Sequence, residues 1–498
     1  MTDDTQARLR EIERDILARR PEHAIEPSLD RIRALVTLLG DPQRAYPVIH
    51  ITGTNGKTST SRMAETLLRA RGLRTGLFTS PHLSSMRERI CVDGEPLSPE
   101  RFVEAYQEIE PYLHLVDSSQ PVRLSFFEVF VGMAFAVFAD APVDVAVIEV
   151  GMGGTWDNTN VADGAVAVVT PISIDHAQYL GTTVEQIAAD KAGIIKPGAV
   201  AVLAQQPLGA AEALLRRAGE VGATVAREGL EFGVLSRELA VGGQQLAIRG
   251  LLGDYDELFL PLFGAHQAQN AACALAAVEA FAGAAPVQAS DGGTDGGPGQ
   301  QVTALSAHAE QRLGPLDAGL VREAFSQMSS PGRLEIVRRS PLVILDAAHY
   351  PAGMAATVTA LTEAFSYTDL VAILAVSEDK DVAGILDELE PVTWRLVVTG
   401  NSSPRSMDPE KLAEVAGAVF GADRVTAAAR LVEAIEIGVA LADDAAAERE
   451  SGPPGSAAVL ITGSVVTVGD ARLLFAGPAV RPAAGPAVRP AAGAADGP

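Results

Sequence analysis

The sequence predicts an α/β fold with two successive parallel-rich sheets. Short apolar runs alternate with helix-length stretches along the chain, which is typical of repeated strand–helix–strand units. In the first half, the clearest predicted strands are residues 48–51, 143–150, 165–170 and 199–204. After Ser329 the alternation resumes, with predicted strands at residues 342–346, 370–376, 395–399 and 458–462. This second series predicts a smaller, doubly wound, Rossmann-like C-terminal domain.

A Gly-rich segment follows the first predicted strand and opens a predicted helix near residue 58. Glycines let a backbone approach a polyphosphate, and a helix N-terminus offers it free N–H groups. In such a loop a lysine reaches the outer phosphates and a hydroxyl ligates Mg²⁺. The segment therefore predicts a P-loop ATPase domain around the first, parallel-rich central sheet. Its candidate nucleotide-binding residues are Gly53, Thr54, Asn55, Gly56, Lys57, Thr58 and Ser59.

This loop is a variant of the common pattern GxxxxGK[ST], because Ile51 stands where that pattern has its first glycine. A Gly-rich turn that binds nothing is the alternative interpretation. The position of Gly-Lys-Thr between a strand and a helix favours phosphate binding. Lys57 is therefore a candidate catalytic residue, and ATP is the expected cofactor.

Polar side chains follow two further predicted strands. Glu149 lies at the end of the strand predicted at 143–150, and Asp175 and His176 follow the strand predicted at 165–170. The carboxyl ends of neighbouring parallel strands meet at one edge of a sheet, so we expect Glu149 and His176 to face one divalent ion. The alternatives are a turn cap for Glu149 and a structural role for His176.

The composition excludes several classes of protein. With 498 residues, 47% of them apolar, the chain can form two or three cores and is not wholly disordered. A net charge of −24 disfavours nonspecific binding to nucleic acid or to anionic membranes. The sequence shows neither a membrane-length apolar run nor a signal peptide, and Cys91 and Cys273 form no CxxC motif. We therefore expect a cytoplasmic protein.

Taken together, these motifs resemble the folylpolyglutamate synthase and dihydrofolate synthase family, a branch of the Mur ligase superfamily. The resemblance covers most of the chain, and the motifs occur in the family's order. Besides the P-loop and Asp175-His176, they are Thr79-Ser80-Pro81-His82-Leu83, Glu88-Arg89-Ile90, Ser125-Phe126-Phe127-Glu128, residues 149–154, Asp157-Asn158-Thr159-Asn160, Lys191-Ala192-Gly193-Ile194, His266-Gln267 with Asn270, Pro331-Gly332-Arg333-Leu334-Glu335, Asp346-Ala347-Ala348-His349 and Asp379-Lys380-Asp381.

The resemblance implies an ATP-dependent ligase that transfers the γ-phosphate of ATP to a substrate carboxylate, after which the amine of L-glutamate displaces the phosphate. The implied acceptors are dihydropteroate and reduced folates. The implied Mg²⁺ ligands are Ser80, Glu149, His176 and Lys191, with Lys191 carbamylated so that it holds a second ion. A surface ion pair is the alternative for Lys191, because the stretch also contains Asp190 and Lys196.

Further roles also come from the resemblance. Asn270 and Arg333 match residues near adenine and phosphate, and Asp346 matches the ribose side. His349 matches the phosphate side and joins Lys57 and Lys191 as a candidate catalytic residue. The alternatives are helix caps for Asn270 and Asp346 and a surface salt bridge for Arg333. The family usually shows Asp-Gly-Ala-His-Asn-Pro here, whereas this chain has Asp346-Ala347-Ala348-His349-Tyr350-Pro351.

On the pterin side, the resemblance implies that Ser80, Pro81 and His82 help to close the pocket. It also implies that Phe127 stacks on the pterin and that Asp157 hydrogen-bonds to it. Phe127 lies in an apolar stretch, so packing in the core is an equal alternative.

We expect an N-terminal ATP-binding domain over residues 1–329 with a mobile loop at 283–301. A glutamate ligase domain over 330–475 and a disordered Pro/Ala-rich tail at 476–498 are expected to follow. The expected partners are ATP, L-glutamate and dihydropteroate or a reduced folate, with no nucleic acid and no membrane. The protein is expected to be a monomer.

Two rival functions are weighed against this hypothesis. A Mur-type ligase of peptidoglycan precursors generally has a UDP-sugar-binding domain before its P-loop, but only 47 residues precede Val48 here. A nucleotide-binding regulatory module without ligase chemistry would have little use for Asp346, His349 and the Asp379-Lys380-Asp381 motif.

Overall fold

The computed structural model describes residues 3–21, 26–283, 316–448 and 457–476. Its largest sheet has eight strands in the order β4-β3-β2-β5-β1-β6-β7-β8. The strands are β1 Val48–Thr52, β2 Thr75–Phe78, β3 Ile90–Val92, β4 Glu95–Pro96, β5 Val145–Glu149, β6 Gly164–Val169, β7 Val200–Leu203 and β8 Thr224–Arg227. The antiparallel pairings are β2 with β3 and β3 with β4, and all other neighbouring strands of this sheet are parallel. The central strand β1 pairs in parallel with β5 and β6, which places the carboxyl ends of these three strands side by side.

Helices cover both faces of this sheet. They are α1 Asp3–Leu17, α2 Asp30–Leu38, α3 Lys57–Ala70, α4 Pro99–Ser119, α5 Phe126–Asp140, α6 Ala177–Leu180, α7 Val184–Lys191, α8 Leu208–Val221, α9 Ala265–Gly283 and α10 Ala318–Ser326. On one face α3 packs against α9, whose many alanines permit a close approach. On the other face the phenylalanines of α5 form a core with α4 and the first two helices. The P-loop helix α3 thus packs against the sheet and α9, and its buried apolar side chains belong to the core on that face.

A small antiparallel sheet follows the large one. It consists of β9 Gly233–Ala240, β10 Gly243–Arg249 and β11 Asp254–Leu260, in the order β11-β10-β9. The sequence analysis did not predict these strands, because their mixture of charged and apolar residues gives no continuous apolar run.

The second large sheet has six strands in the order β12-β13-β17-β14-β15-β16. They are β12 Glu335–Arg339, β13 Leu342–Leu345, β14 Asp369–Leu374, β15 Arg395–Val398, β16 Val425–Ala427 and β17 Ala457–Thr462. Helices α11 Pro351–Ala364, α12 Val382–Leu389, α13 Pro409–Phe420, α14 Leu431–Glu448 and α15 Val465–Ala476 surround it. Two separate apolar clusters lie on its two faces, and only the edge strand β12 is antiparallel. The sheet is therefore doubly wound.

The predicted fold class is confirmed, because both parallel-rich sheets are present in the predicted order. All eight strands named from the sequence exist, although β5 is shorter than predicted at both ends. The predicted loop beyond residue 283 and the predicted tail beyond residue 476 lie outside the described residues. Within the described part of the chain, no helix is long and apolar enough to cross a membrane.

Candidate active site

The P-loop joins β1 to α3 at the carboxyl edge of the first sheet. Gly53 has φ +146°, and a Cβ atom there would stand 1.9 Å from Thr170 Oγ1. Gly56 has φ +82°, and a Cβ atom would stand 2.2 Å from Asn270 Oδ1. Both positions therefore require glycine, because backbone and neighbours leave no room for a side chain. The close packing of Asn270 against Gly56 brings α9 to the base of the loop.

Two lysines converge on the same carbonyl oxygen of this loop. Lys57 Nζ donates to Gly53 O at 3.1 Å and to Thr54 O at 3.3 Å. The buried Lys191 Nζ donates to Gly53 O at 2.8 Å. Burial, and then the charge of Lys57, lower the pKa of Lys191 to about 7. The loop thus presents positive charge at the place where a polyphosphate would lie.

Glu149 lies fully buried at the end of β5, directly beside the P-loop. Its Oε1 accepts a hydrogen bond from Thr58 Oγ1 at 2.9 Å, and its Oε2 accepts one from the Ser80 N–H at 3.3 Å. Burial raises the pKa of Glu149 above its ordinary value, although Lys57 and Thr58 oppose that shift. A carboxylate has about four acceptor positions, so Glu149 retains capacity for a further ligand.

Asp175 and His176 lie on the loop that follows β6, and this loop is fastened to the P-loop. Thr54 Oγ1 donates to Ser173 O at 3.0 Å, and the Ser173 N–H lies 3.1 Å from the same hydroxyl. His176 Nε2 lies 3.4 Å from Asp175 Oδ2. Burial lowers the pKa of His176 to about 4, although Asp175 opposes that shift. The imidazole is therefore neutral at pH 7, the form that binds a metal ion.

The segment from Ser80 to Leu83 lies between the two large sheets. Ser80 reaches Glu149 through its backbone, and Pro81 follows it through a cis peptide bond. His82 Nδ1 accepts a hydrogen bond from Arg89 Nε at 2.9 Å. Leu83 packs against Gly469 of α15, where a Cβ atom would stand 2.0 Å from Leu83 O. This segment therefore connects the Glu149 site to the second sheet.

Phe127 and Asp157 flank the turn that follows Glu149. Phe127 packs 5.9 Å from Phe78, ring centre to ring centre, and its tip would meet a Cβ atom on Gly151 at 2.6 Å. Asp157 is buried and accepts hydrogen bonds from the Met152 N–H at 2.9 Å and from Thr159. Both residues therefore shape the wall beside Glu149, and Phe127 also belongs to the core.

The second sheet contributes Asp346 and His349 at the end of β13. Asp346 accepts three hydrogen bonds, from the Leu334 N–H at 3.0 Å, the Ala348 N–H at 3.0 Å and Thr357 Oγ1 at 2.7 Å. His349 Nδ1 lies 2.9 Å from Ala347 O. Burial, and then Lys380, lower the pKa of His349 to about 4. Asp346 therefore fastens its own loop to the segment that carries Arg333.

Further contacts join residues around the first sheet to segments around the second, and they were not assigned from the sequence. Lys380 Nζ lies 3.8 Å from Asp175 Oδ1, and Ser59 Oγ lies 3.0 Å from Ser330 Oγ. The Ser59 hydroxyl is thus turned toward the segment that precedes β12. Lys380 lies in the Asp379-Lys380-Asp381 motif, which was noticed in the sequence but was given no individual role. Thr170, which contacts the P-loop at Gly53, directly follows β6, so its position after a strand was an available signal.

The donor set at Glu149 fits a hard divalent cation. It combines a buried carboxylate with the hydroxyl of Thr58 and the neighbouring Ser80, and oxygen donors of this kind suit Mg²⁺. Among the described residues there is no cluster of three or more His, Cys, Asp and Glu side chains that could hold a metal by themselves. A Mg²⁺ ion here would therefore depend on water and phosphate oxygens as well, as Mg²⁺ usually does.

Known proteins share both the sequence and the fold. Residues 127–278 match the Mur ligase middle domain, and residues 332–465 match the Mur ligase glutamate ligase domain. The chain is 49% identical over 489 residues to the dihydrofolate synthase/folylpolyglutamate synthase of Mycobacterium tuberculosis, covering 95% of each protein. It is 29% identical to the Bacillus subtilis protein of the same name, covering 78% of this chain and 84% of that protein.

Solved structures agree with these matches. Mycobacterium tuberculosis folylpolyglutamate synthase complexed with ADP has a TM-score of 0.85 at 49% identity, covering 95% of this chain and 99% of that chain. E. coli FolC in complex with DHPP and ADP has a TM-score of 0.73 at 27% identity, covering 91% and 94%. The names of these relatives favour a folate ligase over a ligase of peptidoglycan precursors. The chain belongs to the dihydrofolate synthase/folylpolyglutamate synthase family of ATP-dependent ligases within the Mur ligase superfamily.

Proposed function

We propose that this protein attaches L-glutamate to dihydropteroate and to the γ-carboxylate of reduced folates, with ATP as the energy source. The γ-phosphate of ATP passes to the acceptor carboxylate, the glutamate amine attacks the resulting acyl phosphate, and inorganic phosphate leaves as the amide forms. The observation that carries the proposal is the convergence of Lys57, Lys191 and Glu149 around one P-loop. This chemistry needs crowded anions to be held together away from water.

The P-loop is proposed to bind the triphosphate. Lys57 now donates to two carbonyl groups of its own loop, and we expect its ammonium group to turn from them toward the β- and γ-phosphates when ATP binds. The free N–H groups at the start of α3 face the same anion. Asn270 and Arg333 are proposed to lie near adenine and phosphate, with Asp346 on the ribose side and His349 on the phosphate side.

Glu149, Ser80 and His176 are proposed to hold Mg²⁺, with Thr58 beside them. When bound, the ion screens the charges of the phosphates and of the acceptor carboxylate. Glu149 supplies a buried negative charge, and the hydrogen bond from Thr58 orients its Oε1. The hydrogen bonds between Ser173 and Thr54 hold the loop that carries His176 beside the P-loop.

Lys191 is proposed to be carbamylated and to hold a second Mg²⁺. In this step the neutral amine attacks CO₂, a C–N bond forms, and one proton is released. The side chain is buried beside Lys57, an environment that favours the neutral amine, and the product replaces a second cation with an anion. A solvent-exposed ion pair, the alternative from the sequence, requires an exposed side chain.

On the folate side, the segment of Ser80, Pro81 and His82 is proposed to close the pterin pocket. Phe127 and Asp157 lie beside the turn that follows Glu149, which supports their proposed roles in stacking on and hydrogen-bonding the pterin. Contacts such as Lys380 to Asp175 support a cleft that closes between domains 1–329 and 330–475. A cytoplasmic monomer remains a prediction.

The test of this function is phosphate release with dihydropteroate and with tetrahydrofolate, each with and without L-glutamate. We expect release that depends on ATP, acceptor and glutamate, together with a glutamylated product detected by mass spectrometry. Lys57→Ala should lower kcat/KM by about a hundredfold or more, because it removes the phosphate-binding charge. If wild-type protein shows no glutamate-dependent phosphate release with dihydropteroate and none with tetrahydrofolate, the assignment is rejected.

Carbamylation of Lys191 needs its own test. Protein equilibrated with ¹³C-bicarbonate should give a carbamate carbon signal by NMR, and Lys191→Ala should lack it. The same variant should lose about a hundredfold in activity, because one metal ligand is gone. Full activity of Lys191→Ala at limiting bicarbonate and Mg²⁺ would remove the carbamate from the mechanism.

A further inference from the structure

Tyr350 lies in the loop after β13, where the second sheet's surroundings meet the P-loop. It precedes Pro351 as the N-cap residue of α11, with extended backbone angles of φ −153° and ψ 159°. Its phenol hydroxyl donates a hydrogen bond to Asn55 Oδ1 in the P-loop. The two residues are 295 positions apart in the sequence. Tyr350 is therefore a direct contact between the second domain and the phosphate loop.

The Tyr350 ring is positioned by its own domain. A Cβ atom on Gly353 would stand 2.9 Å from Tyr350 Cζ, so the absence of a side chain at Gly353 makes room for the ring. The ring also meets His349 edge-on, with the ring centres 5.0 Å apart. The phenol is thus held over the first turn of α11 and presents its hydroxyl to the P-loop.

The contact fixes the side-chain orientation of Asn55. Asn55 Oδ1 accepts from Tyr350, while Asn55 Nδ2 points to Ser173 Oγ at 3.4 Å. Ser173 belongs to the loop that carries Asp175 and His176. One amide therefore joins the second domain, the P-loop and the loop after β6. The backbone N–H groups of Thr54 and Asn55 are tied to the same loop through Pro171 O.

We propose that Tyr350 is a positioning residue that couples closure of the second domain to nucleotide binding by fixing Asn55. The inference rests on the proposed ATP site.

The test uses Tyr350→Phe, which keeps the ring and removes only the hydroxyl, in the full-length protein. Calorimetry with the non-hydrolysable analogue AMPPCP and Mg²⁺ should show a Kd about three- to tenfold higher than wild type, the effect of one lost hydrogen bond. The KM for ATP should rise by a similar factor while kcat stays within about twofold, because the contact is present before and during reaction. Tyr367→Phe, at a half-buried position that packs against the core of the second sheet, is the matched control and should change neither value.

A double-mutant cycle with Asn55→Ala separates coupling from general structural damage. If Tyr350 acts through Asn55, the double variant should bind AMPPCP no more weakly than Asn55→Ala alone. The inference would be overturned if the effects of the two substitutions on Kd multiplied in the double variant. An unchanged or lower Kd in Tyr350→Phe would also overturn it. Should Tyr350→Phe fail to fold, Tyr350→Asn serves instead, with the same expected rise in Kd. Because binding is measured without turnover, failure of the ligase function is distinguishable from failure of this inference.

Discussion

Glu149 and Asp346 occupy equivalent places in the two large sheets, yet their surroundings differ. Each is a buried carboxylate at the carboxyl end of a parallel strand, β5 in the first sheet and β13 in the second. Glu149 accepts two hydrogen bonds, from Thr58 and from the Ser80 N–H. Asp346 accepts three, two of them from backbone N–H groups of its own domain.

A carboxylate at the end of a strand is therefore not by itself a ligand site. The three hydrogen bonds to Asp346 hold the loop before β12 and the loop after β13 in place, so the main role of Asp346 is structural. Glu149 keeps unused acceptor positions and lies beside Lys57 and the P-loop. At the same position in the two sheets, Asp346 therefore stabilises its loops, whereas Glu149 is a candidate metal ligand.

Replacing Glu149 gives the largest expected effect and tests its side of the comparison. Glu149→Gln keeps the shape but removes the charge, so kcat/KM should fall by about 10²–10³-fold. The apo protein should be no less stable, since burial raises the pKa of Glu149 and the charged form is therefore disfavoured in the fold. Steady-state kinetics over a range of Mg²⁺ concentrations and thermal melts measure both effects. Glu220→Gln on the surface of α8 is the control. If Glu149→Gln depended on Mg²⁺ in the same way as wild type, Glu149 would not be a metal ligand.

Asp346→Asn should act mainly on stability. One oxygen becomes an NH₂ group, which leaves a buried backbone N–H of Leu334 or Ala348 without an acceptor and costs about 3 kcal/mol. Urea unfolding should show this loss, whereas Asp387→Asn on the surface of α12 should show none. A variant with wild-type stability would show that the three hydrogen bonds are not the main role of Asp346.

The central strand of the first sheet carries a buried histidine, whereas β17 in the second sheet carries none. Burial, and then Lys196, lower the pKa of His50 to about 3 from an ordinary value of 6.5. The unfolded chain therefore binds more protons than the folded one between these values, and stability is lost as pH falls below 6.5.

His50→Gln should remove this contribution, which amounts to about 2 kcal/mol at pH 5. The glutamine amide can still donate to Thr159 Oγ1, which lies 2.9 Å from His50 Nε2. Unfolding measured between pH 5 and 8 should give a flatter pH profile for this variant. His114→Gln on the exposed face of α4 is the control, and parallel profiles for wild type and His50→Gln would refute the assignment.

Ser59→Ala should have the smallest effect. It distinguishes a role of the Ser59 hydroxyl in nucleotide binding from a role in the contact with Ser330. The Ser59 hydroxyl meets Ser330 Oγ at 3.0 Å, so its removal should cost about 1 kcal/mol of stability. The KM for ATP should stay within about twofold, because only the backbone of Ser59 is left to face a phosphate. A large rise in KM without a loss of stability would instead place the hydroxyl in the nucleotide site.

Sequence patterns were enough to predict the two parallel-rich sheets, the position of the P-loop and the placement of Glu149 and His176 at one sheet edge. These features are local, because apolar runs specify buried parallel strands and strand ends specify the functional edge. The three-stranded sheet of β9, β10 and β11 was not predictable in this way, since its strands carry charged residues along an exposed face.

Which polar groups are free and which are already hydrogen-bonded depends on how distant parts of the chain pack together. Asp346 already accepts three hydrogen bonds, from Thr357 and from two backbone N–H groups. Ser59 is turned to Ser330, and Tyr350 reaches Asn55. Each partner comes from a distant part of the chain or depends on how a loop folds back on its strand. A residue's type fixes what it can bind, but packing fixes how many of its donors and acceptors remain for a ligand.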